Sequence, residues 1–271
     1  MQSVLTTQTL NINETILTVP KLNKVKQLSA GIINTETRSA VYIETPYLIN
    51  PFGISYYDGG KEIKEEDRQW SISLKAVGGQ GQNPEDVTKL FDFLKQLDEK
   101  TIDYGIEYSQ TIFKKKYTHE QRNILVDLLY NRGVKQSIGT DGTVYPDKIT
   151  LKVMKNEQKL PELLVFKNSQ NPLEIDSWEH LQGLVTKGLP IKAIIQPKWY
   201  FVNGKMGINY RVLQIKLPNQ ERIGRPLGYA FSEPPSDTTS TVVEEVKSEK
   251  SEEIDVEEEE IEVEDEEEVD V

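Results

Sequence analysis

The chain has 271 residues, 37% of them hydrophobic, a formal net charge of −12 and no cysteine. Without cysteine there are no disulfides, zinc–thiolate clusters, iron–sulfur centres or thiol nucleophiles. The apolar stretches are short and broken by charges, and the polar start from Met1 to Asn11 lacks the basic-then-apolar pattern of a secretory leader, so a soluble intracellular protein with no membrane association is expected.

In chain order, residues 1–34 read as an N-terminal extension to a domain over 35–232. Ser39 to Ile49 is β-branched and aromatic, broken at Pro46, and runs into the turn Asn50-Pro51-Phe52-Gly53. Gln69 to Val77 alternates as a half-buried strand, with Trp70, Ile72, Leu74 and Ala76 on one face and Ser71, Ser73 and Lys75 on the other. Gly78-Gly79-Gln80-Gly81 has neither a phosphate-loop Lys-Ser/Thr nor a G-x-G-x-x-G spacing, and reads as a mobile connector.

Asn83 then caps a helix, with Pro84 in its first turn and Glu85 and Asp86 complementing its dipole. Val87, Leu90, Leu94, Leu97, Tyr104, Tyr108 and Ile112 carry helical spacing, whole or broken, over 84–114. A second helix is expected over Thr118–Arg132, burying Ile124, Leu125, Leu128 and Leu129 and ending at Gly133. Between them stands a basic cluster, Lys114-Lys115-Lys116. His119 and His180 have no metal-ligand spacing, so no metal or cofactor is expected.

From Asp147 the pattern is β. Lys148, Thr150, Lys152 and Met154 alternate with Ile149, Leu151 and Val153, giving one basic face. Further strands are expected at Leu163–Phe166, Ile191–Val202 and Met206–Leu217, the last two joined by the hairpin dipeptide Asn203-Gly204. In that hairpin Lys198 and Tyr200 share one face, Trp199 and Phe201 the other, with Lys205, Tyr210 and Arg211 on the return strand. One aromatic set is core and the other a platform for nucleobases. No spacing of acids, serines or lysines marks a catalytic site, so a binding protein rather than an enzyme is expected.

The net charge averages two opposite regions. Residues 233–271 hold 19 acids against Lys247 and Lys250, a net of −17, which leaves 1–232 with 30 basic and 25 acidic side chains, a net of +5. The runs Glu257-Glu258-Glu259-Glu260 and Asp265-Glu266-Glu267-Glu268 repel themselves, and no aromatic follows Phe231, so a disordered acidic tail is expected beyond a hinge at Ser232–Ser236. A tethered polyanion would compete with nucleic acid for the basic body and, once displaced, meet basic partner proteins.

Strands with inserted helices, without right-handed β-α-β alternation, suit an α+β, mainly antiparallel barrel of the oligonucleotide-binding (OB) type. The order Glu44-Thr45-Pro46, Pro51-Phe52-Gly53-Ile54, the Trp70 strand, Phe91-Asp92-Phe93-Leu94 with Leu97-Asp98, and Gly204-Lys205-Met206-Gly207-Ile208 resembles the single-stranded-DNA-binding proteins of nucleocytoplasmic large DNA viruses. Those are similar in turn to acidic-tailed phage proteins of the same activity.

The resemblance implies an OB-fold that coats unwound DNA in viral replication, recombination and repair, in the nucleus or cytoplasmic factory of an infected cell. It also implies a tail that contacts replication proteins such as DNA polymerase. A homodimer is compatible with it. The ending Val269-Asp270-Val271 departs from the aromatic tail tip of the phage relatives. The expected nucleic-acid contacts are Lys114, Lys115, Lys116, Lys148, Lys152, Lys198, Lys205, Tyr210 and Arg211, with Tyr200 or Trp199 stacking on bases. An acidic chaperone or scaffold for basic proteins is the alternative, separable by tryptophan quenching on adding single-stranded DNA.

Overall fold

The computed structural model describes residues 4–23, 27–57, 64, 67–79, 81–167 and 170–218. The chain divides into the units Met1–Arg222 and Ile223–Val271. The described residues belong to the first, and the expected hinge and acidic tail lie outside them.

The fold is mainly β with a few helices. Its principal strands are β1 (Tyr42–Glu44), β2 (Ile54–Tyr57), β3 (Gln69–Lys75), β4 (Tyr130–Asn131), β5 (Val134–Lys135), β6 (Lys148–Lys152), β7 (Leu164–Phe166), β8 (Pro190–Val202) and β9 (Lys205–Lys216). The helices are α1 (Pro84–Glu107), α2 (Ser109–Phe113) and α3 (Trp178–Leu184). Sheet order runs from Val4–Leu5 through β1, β8, β9, β6 and β3 to β2. Thus the N-terminal segment contributes its own strand, parallel to β1.

The sheet is mixed rather than wholly antiparallel: β4, β6 and β7 all run parallel to β9. No ladder closes it among the described residues. A lone bridge, Leu48 to Gly78, joins its far sides, with the Ile49 N–H donating to the Val77 carbonyl at 3.0 Å. That seam ties down Gly78 and Gly79, the first two residues of the glycine loop. Gly79 donates to the Tyr47 carbonyl at 2.8 Å, and a Cβ there would stand 2.7 Å from Pro190.

Alternation in the sequence survives as burial. Trp70, Ile72 and Leu74 of β3 and Ile149 and Leu151 of β6 are buried, and their neighbours are not. The β8–β9 hairpin turns on Asn203 and Gly204, both with positive φ, which a two-residue turn matching the strand twist requires. Asn83 caps α1 as expected, its side chain accepting from the Glu85 N–H at 3.0 Å. The helical pattern breaks at Tyr108, between α1 and α2.

The second expected helix is different. Residues 119–129 form three short turns of changing pitch, and the chain enters β4 before Gly133. The change of pitch rotates the apolar stripe, so only Leu125 is buried, Leu129 is half-buried, and Ile124 and Leu128 are exposed.

Candidate nucleic-acid interface

Residues paired across neighbouring strands project from the same face of a sheet. On β8 and β9 the pairs are Gln196 with Arg211, Lys198 with Asn209, Tyr200 with Gly207 and Val202 with Lys205. On β6, Lys152 pairs with Arg211, and toward β3 Lys152 pairs with Ser71, Thr150 with Ser73 and Lys148 with Lys75. Register thus carries one outward row across four strands, holding Lys205, Lys198, Arg211, Lys152, Lys148 and Lys75. Between these cations stand Ser71, Ser73, Thr150 and Asn209, and none of the paired positions is a carboxylate. Inter-strand spacings of about 4.8 Å make the row roughly 14 Å wide from β8 to β3.

The cations are not equivalent. Arg211 is held by Glu162 at 2.8 Å. Lys152 and Lys198 make no ion pair among the described residues. Partial burial holds the Lys152 ammonium below the ordinary lysine value, and burial with the neighbouring Arg211 guanidinium does the same for Lys198. A phosphate arriving here would supply the counter-charge both lack.

Two aromatics flank the row. Tyr200 is half-buried and lies over Gly207, its hydroxyl accepting from the Asn131 side-chain amide at 3.1 Å. Asn131 pairs with Gly207 in β4, so it is a member of the same face. At the other end Phe52 is 54% exposed, with the Lys148 ammonium 5.9 Å from its ring centre. The close approach at Gly207 makes it testable. A Cβ would sit 2.5 Å from the Asn131 carbonyl oxygen and 2.9 Å from the Tyr200 hydroxyl oxygen. Gly207→Ala is expected to cost about 1–3 kcal/mol in chemical denaturation and to unseat Tyr200.

Trp199 and Tyr210, expected among the binding residues, are corrected to core. They are 5% and 1% exposed, because they share parity with the inward residues Ile195 and Ile208. Trp199 meets the edge of the Tyr104 ring from α1 at 5.9 Å, which decides which aromatic set looks inward. Trp70 and Trp178 are buried too, stacked on each other at 4.7 Å, so intrinsic tryptophan fluorescence is a poor reporter of events on the row.

The exposed Lys114, Lys115 and Lys116 stand apart from the row. Lys114 ends α2 in a left-handed conformation, and Lys114 and Lys115 line a groove of about 920 Å³ with Phe113, Tyr117, Phe201 and Gly204. That groove lies against the hairpin tip, one residue from Lys205.

Lys75, Phe52 and Asn131 went unrecognised as site residues. The alternation that puts Ser71, Ser73 and Lys75 together was readable, but which strands they border is not. Asn131 and Phe52 lie in a two-residue strand and a turn, where no periodicity points outward.

No protein-family model matches the chain, and no curated protein does. Among solved structures it is similar to the single-stranded DNA-binding protein from bacteriophage Enc34, at 16% identity over 79% of this chain and 96% of that one, TM-score 0.38. The same phage protein in complex with ssDNA gives 16% identity over 78% and 98%, TM-score 0.35. A further similar structure is gp2.5, a single-stranded DNA binding protein encoded by bacteriophage T7, at 10% identity over 66% and 91%, TM-score 0.40.

Proposed function

We propose that the chain binds single-stranded DNA without sequence preference, on the outward face of an OB-type sheet. The observation that carries this is the row itself: cations from β3, β6, β8 and β9, free of carboxylates at the paired positions, with Tyr200 at one end and Phe52 at the other. Cations answer phosphates, and exposed ring faces answer unstacked bases, which a single strand offers and a duplex hides. Short Ser, Thr and Asn side chains keep the floor between them low. The groove beside Lys114, Lys115 and Lys116 extends the positive surface around the hairpin tip.

The same reading assigns residues 233–271, with their net of −17, a competing and recruiting role. The tail holds the row until DNA displaces it, then engages replication proteins such as a DNA polymerase during viral replication, recombination and repair in the infected cell.

Anisotropy of a labelled oligo-dT tests the interface. Each phosphate contact on a single strand contributes about 0.7 to the slope of log affinity against log salt. Joint Lys152→Ala and Lys198→Ala replacement is expected to lower that slope by about 1.4 and to weaken binding roughly tenfold near 0.1 M salt. A double variant with unchanged affinity and slope would sink the proposal.

A further inference from the structure

Between β5 and β6 the chain leaves the sheet and returns. Lys135 and Lys148 are paired at the base of this excursion, so residues 136–146 rise directly from the end of the row that carries Lys148, Lys75 and Phe52. The excursion is an ordered hairpin. Tyr145 N–H donates to the Ser137 carbonyl at 2.9 Å, Gly139 N–H to Thr143 at 2.8 Å, and Ile138 bridges Val144. Asp141 ties the tip, accepting from the Thr143 N–H at 3.0 Å and from its hydroxyl at 2.8 Å, while Gly142 takes the positive φ of the turn.

What this hairpin presents is apolar. Ile138 is 68% exposed, Val144 59% and Tyr145 46%. Asp141 is the one charged residue in 136–146, and its carboxylate is committed to the turn, which holds it below the ordinary aspartate range. Three uncovered apolar side chains on one preformed finger suit a ligand surface, and preformation removes most of the ordering cost of binding. The chemistry is complementary to that of the row. The row offers cations for phosphates and few apolar groups; the finger has no cation and offers ring and aliphatic faces.

We propose that the 136–146 finger is a second base-contacting site, in which Tyr145, lying over Gly139 on the opposite face of the hairpin from Ile138 and Val144, packs against nucleobases of the strand whose phosphates lie on the row. This rests on the single-strand-binding reading above. Nucleobases are the occupant because the finger's base is continuous with the cation row, which places the apolar tip beside any polyanion held there.

The test uses the full chain, its Tyr145→Ala variant and an Ile138→Ser/Val144→Ser variant. Each is titrated against labelled oligo-dT across salt concentrations and photo-crosslinked to oligo-dT carrying 5-iodouracil. Tyr145→Ala is expected to weaken binding at least about fivefold with the salt slope unchanged, because a stacking contact releases no counterions. Crosslinks in the unaltered chain are expected at Tyr145.

Unchanged affinity in both variants, with crosslinks confined to the row, overturns the finger while leaving the row's function standing. So does a concentration-dependent self-association that Tyr145→Ala abolishes without touching DNA affinity, which would make a second copy the occupant. An unaltered chain that binds no oligo-dT overturns both readings.

Discussion

Asp98→Ala is expected to destabilise the fold by at least about 3 kcal/mol in chemical denaturation. Asp98 is 1% exposed, on the inner side of α1. One carboxylate oxygen accepts from the Tyr130 hydroxyl at 2.6 Å and the Gly133 N–H at 2.9 Å, and the other from the Val134 N–H at 3.0 Å. Alanine leaves three buried donors without partners, each costing about 1–3 kcal/mol. Asp98→Asn keeps the shape but turns an amide NH₂ toward one of those donors, so an intermediate loss is expected. If Asp98→Ala unfolds at the same denaturant midpoint as the unaltered chain, the anchor is not what joins α1 to this segment.

The consequence reaches the candidate interface, because the segment Asp98 grips runs through β4 and β5. It carries Asn131, which orients Tyr200, and Lys135, which roots the finger. Looser DNA binding should accompany the lost stability. There is a pH signature as well. Burial lifts the Asp98 carboxyl above its ordinary 3.8, outweighing the pull of its hydrogen bonds and Arg132. The folded chain therefore keeps this proton to higher pH than the unfolded chain does. In the window from about 3.8 up to the raised value this group makes stability fall as pH rises, and the alanine variant should lose that part of the slope.

Local chemistry was legible where it is settled locally. The Asn203-Gly204 turn, the Asn83 cap and the alternation of β3, β6 and β8 each follow from a few adjacent residues, and each stands in the structure. The division of Trp199 from Tyr200 was readable, but their direction was not, since it depends on Tyr104 from a distant helix covering the Trp199 side. Nothing adjacent to Asp98 marks it as an anchor, because its donors lie 32 to 36 residues away. The parallel pairings onto β9 leave no local mark either. The row is their product: lysines read singly from three segments become one surface only through register.

Truncating the chain after residue 232 is expected to tighten binding to oligo-dT by about ten- to a hundredfold at low salt, since a tether holds its polyanion near millimolar effective concentration at the groove it opposes. Removing 233–271 takes away a net of −17 and leaves a body of +5. The gain should vanish toward 1 M salt, where the screening length falls to about 3 Å. On the proposed competition charge rather than sequence is the agent, so full-length protein with Glu257–Glu260 and Glu266–Glu268 changed to Gln and Asp265 to Asn, which takes the tail from −17 to −9, should move part of the way to the truncated affinity. A scrambled tail of the same composition should bind like the unaltered chain. The lysines that would hold the tail are those that would hold phosphate, so the Lys152→Ala/Lys198→Ala chain should gain less from truncation. Equal affinities of full and truncated chains at low salt would end the competition model and leave the tail only its recruiting role.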